Sequence, residues 1–574
     1  MSDDNSNSNS PPPPEKGGGY SASDGVGSAP VRHEEEPLYK WWVAGILGVL
    51  ALIWMALPGT PEPVGPPPPP SITPIQAAME RIEEQSSPGR LGLTSEPHIV
   101  RDRLKTWYDD FGKRTSDALP LTEDEALLKK MLSAVAYENA TAMLPRDEDI
   151  VAFRMRLLCR DIVNRLVPAT SVETSHADED PAATLVAKLF NFAVQQIAPI
   201  SEKAAKSIPL TPYEALVFGQ GTVDHRVWVV AELARQLRYD VILLTPKAEG
   251  RRSLIGVLGA NGAIWLFDPL LGVPVPASVE PAGWTKPASL AQAKANPALL
   301  ESLAVDEAPP LTADDLPDLK IRLIGDSSLW AARMAQWNDE AYVLRKNRRS
   351  TQYFEGLGDR RIIANRDEIQ TLPGLLTRVV QAGQTAGWTA DDVSVWDLPD
   401  QAMAAVLRAE ADANSDLANR FKVLAGPREQ KQVQTQIGLT SVEHPFSNPL
   451  HAVRIEQLQG STSTLQHYVG MRGFHKKEAG KGVARNRETV EIATYFIALC
   501  QLETNKLDAA LDTIAQYERD FPAGRFTAAA KRLRIQLLKL TGRKEDALKL
   551  FPDIPKDAGR FGDELLKRRW TSEP

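Results

Sequence analysis

The spacing of apolar residues changes twice in the middle of the chain. From Arg226 to Leu237 they recur every three or four positions, which predicts a helix with one buried stripe. Val241–Leu244 is a short β-branched run typical of a buried strand. Two more apolar runs, Leu254–Leu258 and Ala263–Phe267, flank Asn261-Gly262, which favours a hairpin turn because both residues tolerate positive φ. The pattern therefore predicts a helix, a strand and a hairpin, in that order.

Helical periodicity dominates the residues before this segment. Thr122 and Glu125 match a capping box ahead of a helix expected to run to Leu144. Further helices are predicted from Asp147 to Val167 and from Ala183 to Ala198. Helices that pack on a small sheet form an α+β fold, and we expect one such domain over residues 99–305.

Two regions follow this domain. Residues 316–440 mix short strand and helix patterns and predict a second α/β region, without any motif that carries chemistry. Residues 449–570 are helical and contain a repeat. Leu507–Leu511 matches Lys544–Leu548, 37 residues further on, and the turn residue Asn505 matches Gly542 at the same shift. These repeats resemble degenerate tetratricopeptide repeats, whose period is about 34 residues. Such helix pairs stack into concave surfaces that bind peptides or proteins, although a simple packing role is the alternative.

The N-terminal residues have a different composition. Residues 1–40 are rich in Ser, Asn, Gly and Pro, and we expect a disordered tail. Residues 41–58 contain an uncharged apolar run with three tryptophans, and its length suits one transmembrane helix. Residues 59–98 form a Pro-rich linker.

The basic residues around this span predict its orientation. Arg32 and Lys40 precede the span, whereas the first basic residue after it is Arg81. The positive-inside rule then places the N-terminus in the cytoplasm and the bulk of the chain outside it, on the periplasmic side of a bacterial inner membrane. We expect a signal anchor that is not cleaved, because the apolar run begins about 40 residues into the chain.

Composition narrows the classes of function. The formal net charge of −8 gives no general attraction to nucleic acid. Cys159 and Cys500 are the two cysteines; both lie at helical spacing and are expected to be small buried side chains, with a long-range disulfide as the alternative. We find no zinc spacing, phosphate loop or dinucleotide fingerprint, so we expect neither a metal nor a cofactor.

Residues 181–276 resemble the core of the transglutaminase-like (papain-like cysteine) superfamily. That family has Gly-Asp-Cys at a helix N-terminus, a strand that opens with His-Ala-Trp, and a strand that ends Trp-x-x-x-Asp-Pro. The resemblance places the family tryptophan at Trp265 and the orienting acid at Asp268. It places the nucleophile at Val223 and the base at Leu254, neither of which supplies the chemistry. The resemblance therefore implies the fold without the catalytic activity.

Five residues are candidate cleft residues: Thr222, Asp224, His225 and Arg226 near the start of the Arg226–Leu237 helix, and Trp265 in the predicted hairpin. Thr222, His225 and Asp268 would form a replacement triad if they met in one cleft. The alternative is structural, with Asp224 capping the helix and His225 or Arg226 pairing with Asp268. We expect a membrane-anchored binding or scaffolding protein with a protein or peptide partner. A hydrolase or acyl-transfer enzyme with a non-standard nucleophile is the alternative.

Overall fold

The computed structural model describes most of the chain from residue 73 onward. The described ranges are 73–89, 97–111, 125–167, 181–200, 209–280 (apart from 238, 249, 260 and 261), 286–305, 310–331, 333–334, 337, 372–412, 414–425, 430–435, 438–443, 450–479, 484–553, 565 and 567. The expected tail and membrane span lie outside these residues. Within them, no helix has the length and hydropathy needed to cross a bilayer.

Helices make up most of the structure before the sheet. In chain order they are α1 Pro74–Ser86, α2 Pro97–Phe111, α3 Glu125–Met131, α4 Ala134–Thr141, α5 Asp147–Leu166, α6 Pro181–Gln196 and α7 Pro212–Phe218. Two short strands, β1 Ala198–Pro199 and β2 Gln220–Gly221, pair in parallel on either side of α7.

A mixed six-stranded sheet follows helix α8, Val223–Gln236. Its strands are β3 Asp240–Pro246, β4 Leu254–Leu258, β5 Ile264–Asp268, β6 Val273–Pro274, β7 Leu319–Leu323 and β8 Val393–Val395. The strand order is β6-β5-β4-β3-β7-β8, and every pair is antiparallel except β7 with β8. Helices α9 Leu290–Ala295, α10 Ala298–Glu301 and α11 Leu372–Ala382 lie in the segments between the later strands.

Both faces of the sheet are buried, each in its own core. On one face Val241, Leu243 and Ile255 pack with helices α5 to α8. On the other face Ile242 and Leu254 pack with α3, α4 and α9 to α11. Side chains on a strand alternate between faces, so each sheet residue belongs to one core or the other.

The C-terminal part is a stack of helices. After α12 Leu398–Ala411 and α13 Asp416–Ala425 comes a hairpin of β9 Gln430–Thr435 and β10 Gly438–Glu443. The remaining helices are α14 Leu450–Gln459, α15 Thr464–Ala479, α16 Ala484–Glu503, α17 Leu507–Asp520, α18 Thr527–Leu540 and α19 Lys544–Leu550. From α15 onward each helix packs on the next, and this stack shares a core with α5 to α8.

The repeat seen in the sequence is also a repeat of backbone geometry. Asn505 and Gly542 both have left-handed φ, at 57° and 77°. The amide of Lys506 donates to the carbonyl of Gln501, and the amide of the residue 37 positions later, Arg543, donates to Leu538. Such a left-handed residue ends a helix by satisfying its last carbonyl groups. The turn between α16 and α17 and the turn between α18 and α19 therefore have the same backbone geometry, 37 residues apart.

One expectation about a helix boundary needs correction. The helix expected to end at Leu144 is two helices, α3 and α4, because Ser133 caps a new start by accepting a hydrogen bond from the amide of Ala136. Within residues 316–440, strands β7 and β8 join the six-stranded sheet: β7 pairs with β3, and β8 pairs with β7. The α+β class expected from the sequence is present, and its sheet takes strands from both of the predicted segments.

Helix α5 links the layers through buried charges. Asp149 accepts two hydrogen bonds of 2.7 Å from the guanidinium of Arg333. Arg154 lies 2.7 Å from Glu214 on α7, and Arg156 lies 2.5 Å from Asp326 beyond β7. All three α5 side chains are almost completely buried. A buried charge is tolerated only when it is paired, so these pairs fix where α5 sits.

Asp149→Asn tests this constraint. The amide keeps the shape of the carboxylate but leaves the charge of Arg333 buried without an anion. We expect the free energy of unfolding to fall by about 3–5 kcal/mol, measured by urea unfolding of the purified full-length chain. The control is Lys130→Ala, which breaks an exposed pair with Asp391 and should change the unfolding midpoint little. Equal effects of the two substitutions would contradict the structural role of the buried pair.

Candidate functional site

The first turn of α8 holds most of the candidate cleft residues, and its polar groups bond to each other. Thr222 is the N-cap. The Nδ1 atom of His225 accepts the backbone N–H of Thr222 at 3.0 Å and lies 2.8 Å from its hydroxyl oxygen. Burial lowers the pKa of His225 to about 4. The imidazole is therefore neutral near pH 7, and Nδ1 is committed to the helix start.

This arrangement corrects the expected cap. Asp224 is the second residue of α8, not its cap, and Thr222 with His225 closes the first turn instead. Arg226 anchors the same turn to the sheet, because its guanidinium donates to the carbonyl oxygens of Ile197 and Pro269. Val223, at the expected nucleophile position, is only partly buried and begins the helix. Helix packing accounts for the polar groups of this turn without invoking chemistry.

Asp268 sits in a different environment. Its Oδ1 atom accepts the backbone N–H of Leu271 at 2.9 Å, and its Oδ2 atom lies 2.9 Å from Nε of Arg252. Arg252 also donates to the carbonyl of Leu303, which belongs to the core on the far side of the sheet from α8. Burial raises the pKa of Asp268, and the guanidinium of Arg252 opposes that rise. The ion pair at Asp268 is therefore with Arg252, a residue that the sequence patterns did not single out.

The sheet separates the three family-equivalent positions. The β4–β5 register pairs Ile255 with Phe267, which brings Leu254 opposite Asp268 on the same face. Leu254 belongs to the core on the face away from α8, whereas Ile255 and Phe267 belong to the core that contains α8. Val223 begins α8. Leu254 and Asp268 are thus neighbours, but they do not share a cleft with Val223, and Thr222, His225 and Asp268 form no triad.

The spacing of Trp265 and Asp268 explains this placement. The family pattern has three residues between the tryptophan and the acid, whereas this chain has two, Leu266 and Phe267. Because side chains alternate along a strand, an interval of four positions keeps two residues on one face and an interval of three puts them on opposite faces. Trp265 accordingly packs on the α8 side, and Asp268 points to the other side.

Neither cysteine is available as a nucleophile. Cys159 and Cys500 are both free and buried, which settles the question of a disulfide between them. Burial raises the pKa of Cys159 well above its ordinary value and that of Cys500 to about 12. Since the thiolate is the reactive form, both are inert small side chains, as the sequence predicts.

A groove on the α8 side of the sheet is lined by one of the candidate residues, Trp265. It has a volume of about 870 Å³ and runs along one face of α6 toward Trp265. One wall is α6, with polar and small residues at intervals of three and four positions. The other lining residues include Trp265, Lys286 and Gln292, together with Glu503 of α16. This volume lies within the range of ligand pockets, about 300–1,000 Å³. The groove can hold a ligand, and its described lining residues include no nucleophile–base pair.

The polar groups of the groove differ in how they are used. The Nζ of Lys188 donates to the carbonyl of Leu166 at the end of α5, and Glu503 pairs with Arg165 at 2.6 Å. The side-chain amides of Asn191 and Gln195 have no hydrogen-bond partner in the part of the chain described here. The Nε1 of Trp265 is shielded from solvent and has no acceptor among the described residues. The sequence analysis named Trp265 as a candidate but did not name Asn191 or Gln195. The only sequence signal for these two is that they are polar residues in the largely apolar helix α6.

Comparison with protein-family models, curated proteins and solved structures gives no match for this chain in any of the three. Among the described residues, no group of three or more His, Cys, Asp or Glu side chains has an arrangement that would hold a metal ion. The chemistry of the site has to be argued from its own residues.

His225→Asn tests whether the imidazole is a neutral cap. The folded-state pKa of about 4 lies below the ordinary 6.5, so the unfolded chain binds the proton more tightly and stability falls as the pH drops from 6.5 toward 4. We expect His225 to cost about 2 kcal/mol of stability between pH 7 and pH 5. Asparagine keeps an acceptor for Thr222 but does not titrate, so urea unfolding should show a smaller loss in the variant.

The difference between the two proteins isolates His225 from other titrating groups. Asp400, whose pKa is raised to about 6 mainly by burial, acts in the opposite direction, and His451, lowered to about 3, acts in the same direction. Both contribute equally to wild type and variant. Identical pH dependences in the two proteins would show that His225 is not a buried neutral cap.

Proposed function

We propose that this chain is a binding protein rather than an enzyme, and that it takes a peptide segment of a partner protein into the groove between α6 and Trp265. The groove carries the proposal: it is large enough for a ligand, and it combines apolar surface with an aromatic side chain and two side-chain amides that bond to no residue in the described ranges. That combination is typical of recognition sites.

The positions of the candidate nucleophiles, base and acid support a role without catalysis. A hydrolase or acyl-transfer enzyme needs a nucleophile within hydrogen-bond reach of a base. The hydroxyl of Thr222 and the imidazole of His225 meet, but both are buried in a helix cap. Asp268 pairs with Arg252 on the other sheet face, and both thiols are buried. An enzyme of this class would have to use groups outside these candidates.

The order of elements is consistent with the transglutaminase-like resemblance, which we retain as a proposal about ancestry. Helix α8 is followed by the antiparallel strands β3, β4 and β5, the order that the resemblance implies. In this proposal the chain keeps that scaffold, has lost the Cys and His side chains, and has moved its acid to the opposite face by the shorter Trp265–Asp268 spacing. The binding groove then lies beside the ancestral cleft rather than in it.

The C-terminal helices contribute to the same site. Phe496 of α16 packs against Gly219, whose φ of 65° and lack of a side chain allow the close approach. Glu503 at the end of α16 accepts from Arg165 of α5 and from Gln196 of α6. We propose that these tetratricopeptide-like helices hold one end of the groove in place and present the rest of their surface to the same partner.

Blocking the groove tests the binding proposal. The probe is a library of random heptapeptides displayed on phage, panned on the full-length protein in detergent. We expect enrichment of binders by the wild type and at least a tenfold lower recovery with Thr184→Trp, which places a bulky ring at an exposed position of the groove wall. Gln401→Trp, on the exposed surface of α12, is the control. Equal recovery by all three proteins would overturn the proposed site.

The enzyme alternative has its own test on the same preparation. A fluorophosphonate probe for hydroxyl nucleophiles and iodoacetamide for thiols should label nothing in the folded protein, because Thr222, Cys159 and Cys500 are buried. Iodoacetamide should label both cysteines after unfolding. Labelling of Thr222 or of either cysteine in the folded state would favour the enzyme.

We further propose that residues 41–58 anchor the chain in the membrane with the N-terminus in the cytoplasm. The supporting observation is the uncharged apolar run preceded by Arg32 and Lys40. Alkaline phosphatase fused after residue 574 should be active, because it folds only outside the cytoplasm, and green fluorescent protein at the same place should be dark. The opposite pair of results would reverse the orientation.

A further inference from the structure

Two side-chain amides stand in a row on the groove wall. Asn191 and Gln195 are four residues apart on α6, so they point to the same side of the helix. Neither amide is used within the described structure. Across the groove, the indole N–H of Trp265 is shielded from water and has no hydrogen-bond acceptor among the described residues. A buried donor without a partner costs about 1–3 kcal/mol, which a ligand acceptor would recover.

The spacing of the two amides matches the repeat of an extended polypeptide. Four residues of α-helix rise about 6.0 Å, and two residues of an extended chain rise about 6.6 Å. A side-chain amide offers one acceptor oxygen and an NH₂ donor, and a peptide unit offers one acceptor and one donor in return. Two amides in this row are therefore placed to bond to alternate peptide units of a chain that runs along α6.

The groove has the length for such a chain. Its α6 wall extends from Ala183 to Gln195, which at the helical rise is about 18 Å, or about five residues of extended peptide. Three cations line it, Arg165, Lys188 and Lys286, against one acid among its lining residues, Glu503. The charge of the groove therefore favours acidic over basic side chains on the ligand.

We propose that the groove recognises the backbone of an extended, preferably acidic peptide segment through Asn191 and Gln195, with Trp265 donating a further hydrogen bond. This inference rests on the proposed function and adds the mode of recognition. Because main-chain groups are common to all sequences, such a site accepts many side-chain sequences and selects for an extended conformation. Side chains that face away from α6 are not read by these two amides.

The test uses the heptapeptides recovered from the phage library, resynthesised and measured by fluorescence anisotropy. The variants are Asn191→Ala, Gln195→Ala and the double substitution, with Gln401→Ala, an exposed side-chain amide on α12, as the matched control. We expect the double substitution to weaken most of the peptides at least tenfold, whatever their sequence, and Gln401→Ala to change none. Trp265→Phe, which keeps an aromatic ring but removes the donor, should weaken binding as well.

Methylation of peptide nitrogens then tests the two-residue repeat. Each backbone N–H of one acidic binder is replaced in turn by N–CH₃, and we expect strong losses at alternate positions only. Binding that Thr184→Trp blocks but the amide substitutions leave unchanged would overturn backbone recognition while the proposed function stands. Losses at every position, or at none, would overturn it too. Binding indifferent to Thr184→Trp would overturn the proposed function itself.

Discussion

In a sheet with two buried faces, each strand side chain belongs to one core or the other. This constraint decides whether Asp268 and Trp265 can act together with residues of α8. Strands β3 to β5 show the alternation: Val241, Leu243 and Ile255 pack toward α8, whereas Leu254 and Leu266 pack away from it. Asp268 lies in the second set, where Arg252 pairs with it. An acid on that face cannot orient a base at the N-terminus of α8. The same alternation leaves Trp265 on the α8 side, where it lines the groove.

The groove exists because several layers are held rigidly around it. Helix α5 carries Asp149, Arg154 and Arg156, and each meets an opposite charge from a different segment. Near its end, Arg165 reaches both the Gln457 carbonyl and Glu503, so the C-terminal helices are fixed to the sheet domain. The shared core of the two parts makes a rigid wall from elements far apart in sequence. Preorganised walls reduce the entropy lost when a ligand binds.

Local patterns predicted the centre of the fold well. The helix expected at Arg226–Leu237 is Val223–Gln236, the three expected strands follow it in the expected order, and the last two form the expected hairpin. The face of the sheet that Asp268 occupies also follows from the sequence, because an interval of three positions from Trp265 places the two side chains on opposite faces. The pairing of β7 and β8 is not readable from local patterns, because each pairs with a strand more than 70 residues earlier in the chain. The Arg252–Asp268 pair joins the loop before β4 to the end of β5, and the groove is built from elements far apart in the chain; apolar spacing in one sequence indicates neither.

Double-mutant cycles at Asp268, read by urea unfolding, test which side of the sheet this acid occupies. One cycle combines Asp268→Asn with Arg252→Met, and the other combines Asp268→Asn with His225→Asn. The structure predicts a coupling energy of about 1–3 kcal/mol for Asp268 with Arg252, since contacting charged groups couple at that level, and a coupling near zero for Asp268 with His225. Coupling of Asp268 to His225 instead of Arg252 would place the acid in the α8 cleft and contradict the account.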